Sequence, residues 1–379
     1  MPNLLKDPSE KHFRYLDSAR GIAAVMFFVM HFFEHKYKDQ ALCSYWSIIF
    51  NGRDAVSFFF VLSGFVLSYK YIVLKKPLDL KKFYASRFFR LWPAFFITLT
   101  ITCLYAFYHT SHINRYLLKD LFIFNVYGFW EEAFMLRGRH FFYFPGWTLT
   151  IEMVASFLMP FFILIALKDK KLIPWLIAVF FIGVGDNWLY SINFLLGILI
   201  SCYYSQINEV SFRQQKWFRF RYLILLVAIT IWPIRYYDAI FHFGSRYKYF
   251  AGFFGIDFFH YTAVSSAIFI IAILYSRPVQ KVLETKVFVF VGKLSYSLYL
   301  VHLFAINIIY DIVEKSIPSS NPHVIVAVMI VSYIILIFSL AILMHYFVEL
   351  PFIRIGKRVV NKMRPSLVIV NANPVNQQV

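Results

Sequence analysis

The chain is poor in cysteine, in acidic residues and in charge generally. Its three cysteines, Cys43, Cys103 and Cys202, are an odd number without metal or redox spacing, which leaves no basis for a disulfide framework. Only 15% of residues are charged, and 38 Lys and Arg outnumber 20 Asp and Glu, for a formal net charge of +18. That excess is not one soluble block, as in a nucleic-acid-binding arm. Basic residues instead punctuate apolar segments, so their distribution reads as topology. No Gly/Ser/Pro-rich linker divides the chain, and no internal repeat is evident, which weakens the transporter folds built from inverted repeats. The first apolar run has no small-residue cleavage site, which argues against a signal peptide.

What is present is hydrocarbon. Sixty per cent of residues are apolar, 21% are aromatic, and the mean hydropathy is +0.62, well beyond soluble domains. The expected fold class is an all-α polytopic membrane protein with about ten transmembrane helices in one bundle. Candidate spans lie near 16–33, 54–73, 91–108, 146–167, 172–186, 189–204, 220–236, 258–276, 287–310 and 324–347. Phe-rich stretches at 116–130 and 248–256 are too short or broken to count and read as re-entrant or interfacial. Residues 14–356 are expected to form one transmembrane domain between a short segment 1–13 and a basic, then polar tail 357–379, expected to be disordered. Most Lys and Arg fall in the loops that this map puts on the side of both termini, which predicts both termini in the cytoplasm.

Within the first span, Arg20 and His31 stand eleven residues apart. Eleven helical steps return to within roughly 20° of the same face and separate the side chains by about 16 Å. A permanent cation and a titratable imidazole in hydrocarbon are costly, so they are read first as functional. His31 suits a general base for an attacking hydroxyl. Two competing readings are a histidine hydrogen-bonded within the bundle, and a zinc ligand in His31-Phe-Phe-Glu34-His35, which fits H-x-x-E-H but has no third ligand at helical spacing nearby. Arg20 on the same face favours function.

Further polar motifs interrupt the other spans. In Phe58-Phe59-Phe60-Val61-Leu62-Ser63-Gly64-Phe65, the Ser63-Gly64 step allows close helix approach or a local break, and Ser63 is a conceivable acyl nucleophile. Asp54 is a candidate partner for His31 or Arg53. Arg87-Phe88-Phe89-Arg90-Leu91-Trp92-Pro93 follows a basic loop with Lys81 and Lys82. Its two arginines share a helix face and suit either one phosphorylated ligand or anionic lipid. Pro145-Gly146-Trp147-Thr148-Leu149-Thr150-Ile151-Glu152 opens the fourth span. Glu152 is expected to face Arg20, Arg87, Arg90 or a water-filled cavity. Outside, about 109–145, His109, His112, His140, Glu131, Glu132, Arg137 and Arg139 mix with aromatics that suit either sugar rings or the interface belt. Later, Ser295-Tyr296-Ser297-Leu298-Tyr299-Leu300-Val301-His302 places a second histidine in a span, as an acid/base or a bundle donor. Asp257 and His260 precede the eighth span, and Glu349-Leu350-Pro351 is expected to close the last helix.

Taken in order, Arg20-x10-His31 in "LDSARGIAAVMFFVMHFF", then "FFFVLSGFVLS", "RFFRLWP", "GWTLTIEM", "LSYSLYLVH" and "VELPF" resemble the membrane-bound acyltransferase 3 family, which includes O-antigen and other surface-polysaccharide O-acetyltransferases. The likeness runs from about residue 14 to 356. It implies ten helices and transfer of an acyl group, acetyl from acetyl-CoA, to an acceptor outside the cytoplasmic face of the inner membrane. By that likeness His31 is the catalytic histidine, Arg20 its motif partner, and Arg87 and Arg90 lie on the donor side. Glu152 pairs with these or orients the histidine, and Trp147 and Ser63 are candidate oxyanion donors. With His302 they make the expected substrate-binding set, and no metal is expected. The departure is Asp54-Ala-Val-Ser57 before the Phe run, which leaves the start of that helix open. The chain is expected to be the stand-alone form, without the esterase-like domain of some relatives. The rival class is a transporter or proton-coupled carrier using the same Arg, His and Glu as a relay.

Overall fold

The computed structural model describes residues 13–37, 45–111, 128–135, 143, 145–183, 190–204, 219–241, 258–316, 322–364 and 368–369. Their helices include α1 (Arg14–Tyr37), α2 (Tyr45–Ile49), α3 (Gly52–Ile72), α4 (Leu80–Ser111), α5 (Gly146–Lys168), α6 (Leu172–Gly183), α7 (Ser191–Tyr204), α8 (Arg221–Ile231) and α9 (Ile234–Phe241). These are followed by α10 (Phe258–Tyr275), α11 (Arg277–Leu283), α12 (Lys286–Ser316), α13 (Pro322–Met344) and α14 (Leu350–Lys362). Strand among the described residues is limited to Leu78–Asp79 and Val368–Ile369. Among the described residues, six helical segments are long and apolar enough to cross a membrane, or seven if the bent pair α10 and α11 is one span. Three shorter apolar helices, Leu172–Phe181, Ser191–Tyr204 and Arg221–Ile231, fall on the remaining expected segments. The chain is an all-α, multi-pass membrane protein.

Its contacts divide into two compact units. The first comprises Met1–Leu78, Leu158–Ser295 and Val368–Val379. Here helices approach through glycine, because two backbones come together only where a side chain is missing. A Cβ on Gly64 of α3 would lie 2.3 Å from the Phe194 carbonyl oxygen of α7, and one on Gly197 would lie 2.2 Å from that of Val61. Just beyond, Ser68 Oγ donates to Ser201 Oγ at 2.7 Å. The Ser63-Gly64 step therefore serves close approach, and α3 runs through it unbroken. Asn51 settles where α3 starts: its side chain accepts from the Asp54 N–H at 3.2 Å, so the helix begins at Gly52.

The second unit comprises Asp79–Phe157 and Tyr296–Leu367. Two sequence expectations need correction here. Lys81 and Lys82 are not in a loop: α4 starts at Leu80, because Asp79 Oδ1 accepts the Lys82 N–H at 3.2 Å and caps the first turn. Nor does Glu349-Leu350-Pro351 close the last helix. His345–Glu349 forms a π turn, and the chain stays helical to Lys362 with Pro351 in the first turn of α14. The wider turn carries the Leu350 N–H to the His345 carbonyl, and a first-turn proline has no intrahelical bond to lose. A Cβ on Gly356 would lie 2.5 Å from Phe89 Cβ, so α14 lies against α4 at that glycine.

Candidate active site

The groups in α1 that could be charged include Asp17, Arg20, His31 and Glu34. Arg20 Nη1 donates to Asp17 Oδ1 at 3.1 Å, three residues away on the same helix. Arg20 thus engages Asp17 of its own unit. His31 Nδ1 lies 3.2 Å from Glu34 Oε2, and Arg53 Nη2 lies 2.9 Å from Glu34 Oε1. The side chains of His31 and Glu34 are 13% and 16% exposed, whereas Arg53 is 40% exposed. The acid is therefore shared between an imidazole and a more open guanidinium. Facing a carboxylate, Nδ1 holds the proton, and Nε2 becomes the basic nitrogen. Phe27 fixes the ring from the side, with centroids 4.5 Å apart in an edge contact. His35, the last member of the H-x-x-E-H run, is exposed.

Asp54, the candidate partner for His31 or Arg53, is bonded to Asn51. Asn51 Nδ2 donates to Asp54 Oδ2 at 2.7 Å and to the Trp232 carbonyl at 3.3 Å. The acid engaged by both His31 and Arg53 is Glu34, which sequence reading considered only as part of a zinc motif. Its i, i+3 spacing from His31 was the available signal. Ser63 is half-buried on α3. His260 is buried in α10 with its ring 4.4 Å from Phe181, while Asp257 lies outside the described residues.

In the second unit, α4 and α5 are joined by an ion pair. Arg87 Nη2 donates to Glu152 Oε1 at 2.7 Å, and Arg87 Nε donates to Ser156 Oγ at 3.0 Å. Glu152 thus faces Arg87, one of the partners that its position in a span demanded. The two arginines of the RFFR motif do not present alike: Arg87 is 8% exposed, and Arg90 is exposed. A two-fork grip on one ligand needs both, and one fork is already committed.

The start of α5, which carries half-buried Trp147, is tied to α12. Tyr299 Oη donates to the Pro145 carbonyl at 2.9 Å and is bonded to Thr148 Oγ1. Tyr143 Oη donates to the Leu300 carbonyl at 2.8 Å, and the Tyr143 N–H donates to Glu132 Oε1 at 2.9 Å. Full burial pushes the Tyr143 phenol well above its usual range, so it remains a donor. Glu132 is thereby a buried anchor. Glu131 is half-buried and His109 falls near the end of α4, whereas His112, His140, Arg137 and Arg139 lie outside the described residues. His302 is fully buried, and its Nδ1 donates to the Tyr299 carbonyl at 2.5 Å. Sequence reading gave no role to Ser297, whose Oγ donates to Glu349 Oε2 at 2.8 Å, or to His345, whose Nδ1 lies 2.9 Å from the same oxygen.

The arrangement supplies an imidazole oriented by a carboxylate on α1, and a buried Arg–Glu pair beside an exposed arginine on α4. A family model described as an acyltransferase domain matches residues 13–345, which include all of these groups except Glu349. Neither the curated proteins nor the solved structures contain a significant match to the chain.

Proposed function

The chain belongs to the acyltransferase 3 family, and on that premise we propose that it is an integral membrane O-acyltransferase moving acetyl from acetyl-CoA to a hydroxyl of an extracytoplasmic or lipid-linked surface glycan such as O-antigen. The observation that carries the reading is His31, half-buried in a membrane helix with Nδ1 on Glu34 and Glu34 on Arg53. Nε2 takes the proton of the acceptor hydroxyl as its oxygen attacks the thioester carbonyl. The tetrahedral intermediate then expels the CoA thiolate, which recovers that proton from the imidazolium, leaving an ester and free CoA thiol.

The remaining roles follow from exposure. Arg90 is the open cation of the RFFR motif and takes the donor's phosphates together with exposed Lys81. Arg87, held by Glu152 and Ser156, positions α4 and α5 on that side. Trp147 and Ser63 are the candidate donors to the oxyanion. Arg20 orders the start of α1 through Asp17, and His302, bonded to the Tyr299 carbonyl, is the candidate substrate-binding residue of α12. We place ten spans and both termini at the cytoplasmic face, in the inner membrane.

Purified protein in vesicles, given acetyl-CoA and acceptor glycan, should release CoA thiol in proportion to ester formed. Acceptor flux without thiol release would favour the carrier.

A further inference from the structure

Two helices of the second unit bring their basic ends to the same level. Helix α4 carries Lys81, Lys82, Arg87 and Arg90 before Leu91, and no Lys or Arg after it. The opposite order holds in α13, the π turn and α14, which form one helical segment of 40 residues, His323–Lys362. Its Lys and Arg residues, Arg354, Lys357, Arg358 and Lys362, all fall in α14. Forty residues rise about 60 Å against roughly 30 Å of hydrocarbon, so with α13 in the membrane α14 reaches past it. Gly356 of α14 lies against Phe89 of α4. The basic end of each helix is therefore at this crossing, and the two run antiparallel.

That direction decides which side chains stand together. Arg90 is one residue beyond Phe89, about 100° around α4, and Lys357 is one residue beyond Gly356, about 100° around α14. In antiparallel helices, equal steps beyond two facing residues turn to the same side of the seam. Arg90 and Lys357 thus rise on one side of it, and both are exposed. Helix axes in contact are roughly 8–10 Å apart, which leaves a single phosphate or diphosphate within reach of both side chains. Ile353 and Val360, both half-buried, share the face of Gly356. Arg354 and Arg358 are exposed about 160° away from it, on the far side of α14.

Lys357 supplies what the RFFR motif lacks. The motif's other guanidinium, Arg87, is held by Glu152 and Ser156. No acid within either helix neutralises the exposed pair, because neither α4 nor α14 contains Asp or Glu. Glu349, which precedes α14, is buried and engaged by Ser297 and His345.

We propose that Lys357 is the second cation of the donor site and holds the phosphates of acyl-CoA together with Arg90. The assignment rests on the reading of the chain as a CoA-dependent acyltransferase, and it adds α14 to the donor-binding elements.

The test is CoA binding by the full-length protein in phosphatidylcholine nanodiscs, measured by calorimetry, with pantetheine as the donor arm that lacks phosphates. The wild type should bind CoA more tightly than pantetheine. Lys357→Gln should weaken CoA binding by about tenfold and leave the thermal midpoint unchanged. Arg358→Gln removes the same charge from the far side of the same helix and should leave CoA binding unchanged. Wild-type affinity for CoA in Lys357→Gln, or an equal loss in Arg358→Gln, overturns the assignment and leaves the donor reading intact. Equal affinity of the wild type for CoA and pantetheine overturns it as well, and a wild type that does not bind CoA overturns both. A loss in Lys357→Gln that appears only when the discs contain phosphatidylglycerol would assign Lys357 to a lipid headgroup and overturn the proposal.

Discussion

At the scale of the residue, the account turns on which groups are engaged with which. Glu34 lies against His31 Nδ1 and Arg53, so Glu34→Gln should leave the protein folded while misassigning the imidazole tautomer. Acetyl transfer should fall by about 10²-fold or more, read as kcat with KM for acetyl-CoA little changed. The RFFR arginines should separate cleanly. Arg90→Gln should raise KM for acetyl-CoA with unchanged thermal stability, since its side chain is exposed. Arg87→Met leaves Glu152 without its cation and should cost about 2–3 kcal/mol. Adding Glu152→Met should recover much of that loss in a thermal denaturation cycle. Sequence alone made Arg20, His31, Arg87 and Glu152 conspicuous, because a charge in an apolar run is visible without a fold. It did not show who held them. Asp54 was the acid that sequence suggested for His31 and Glu34 only part of a zinc motif, whereas Glu34 lies against His31 and Asn51 draws Asp54 into the start of α3.

At the scale of the element, apolar periodicity located the helices and local caps decided their ends. The third span was readable from Leu91 onward, yet α4 begins at Leu80 because one carboxylate, Asp79, accepts a backbone N–H three residues on. A basic run reads as a loop unless that cap is recognised. The π turn before Pro351 was hidden for a similar reason, since proline in sequence signals a stop and only a wider turn lets the helix resume. Ser63-Gly64 allowed two readings, packing or a break, and the α3–α7 contact decides for packing at Gly64. Gly64→Val and Gly197→Val should therefore each lower the thermal midpoint in detergent, with a cost of about 2 kcal/mol or more, since the nearest atoms are backbone and cannot step aside. A midpoint unchanged in both would contradict that crossing.

At the scale of the whole molecule, hydropathy revealed an all-helical membrane protein, and the ordered motifs revealed its family. The division of contacts into two units was not legible, because no linker or composition change marks it. Each unit gathers segments distant in sequence. The positive-inside distribution predicts that a C-terminal tag is protected from protease in sealed right-side-out cells and cleaved in inverted vesicles. The most direct test of the central claim is acceptor-dependent release of CoA thiol by full-length protein in vesicles, wild type against His31→Ala. The account predicts that the variant reaches wild-type levels and thermal stability while transfer drops by about 10²–10⁴-fold. Full transfer by a folded His31→Ala protein would contradict it.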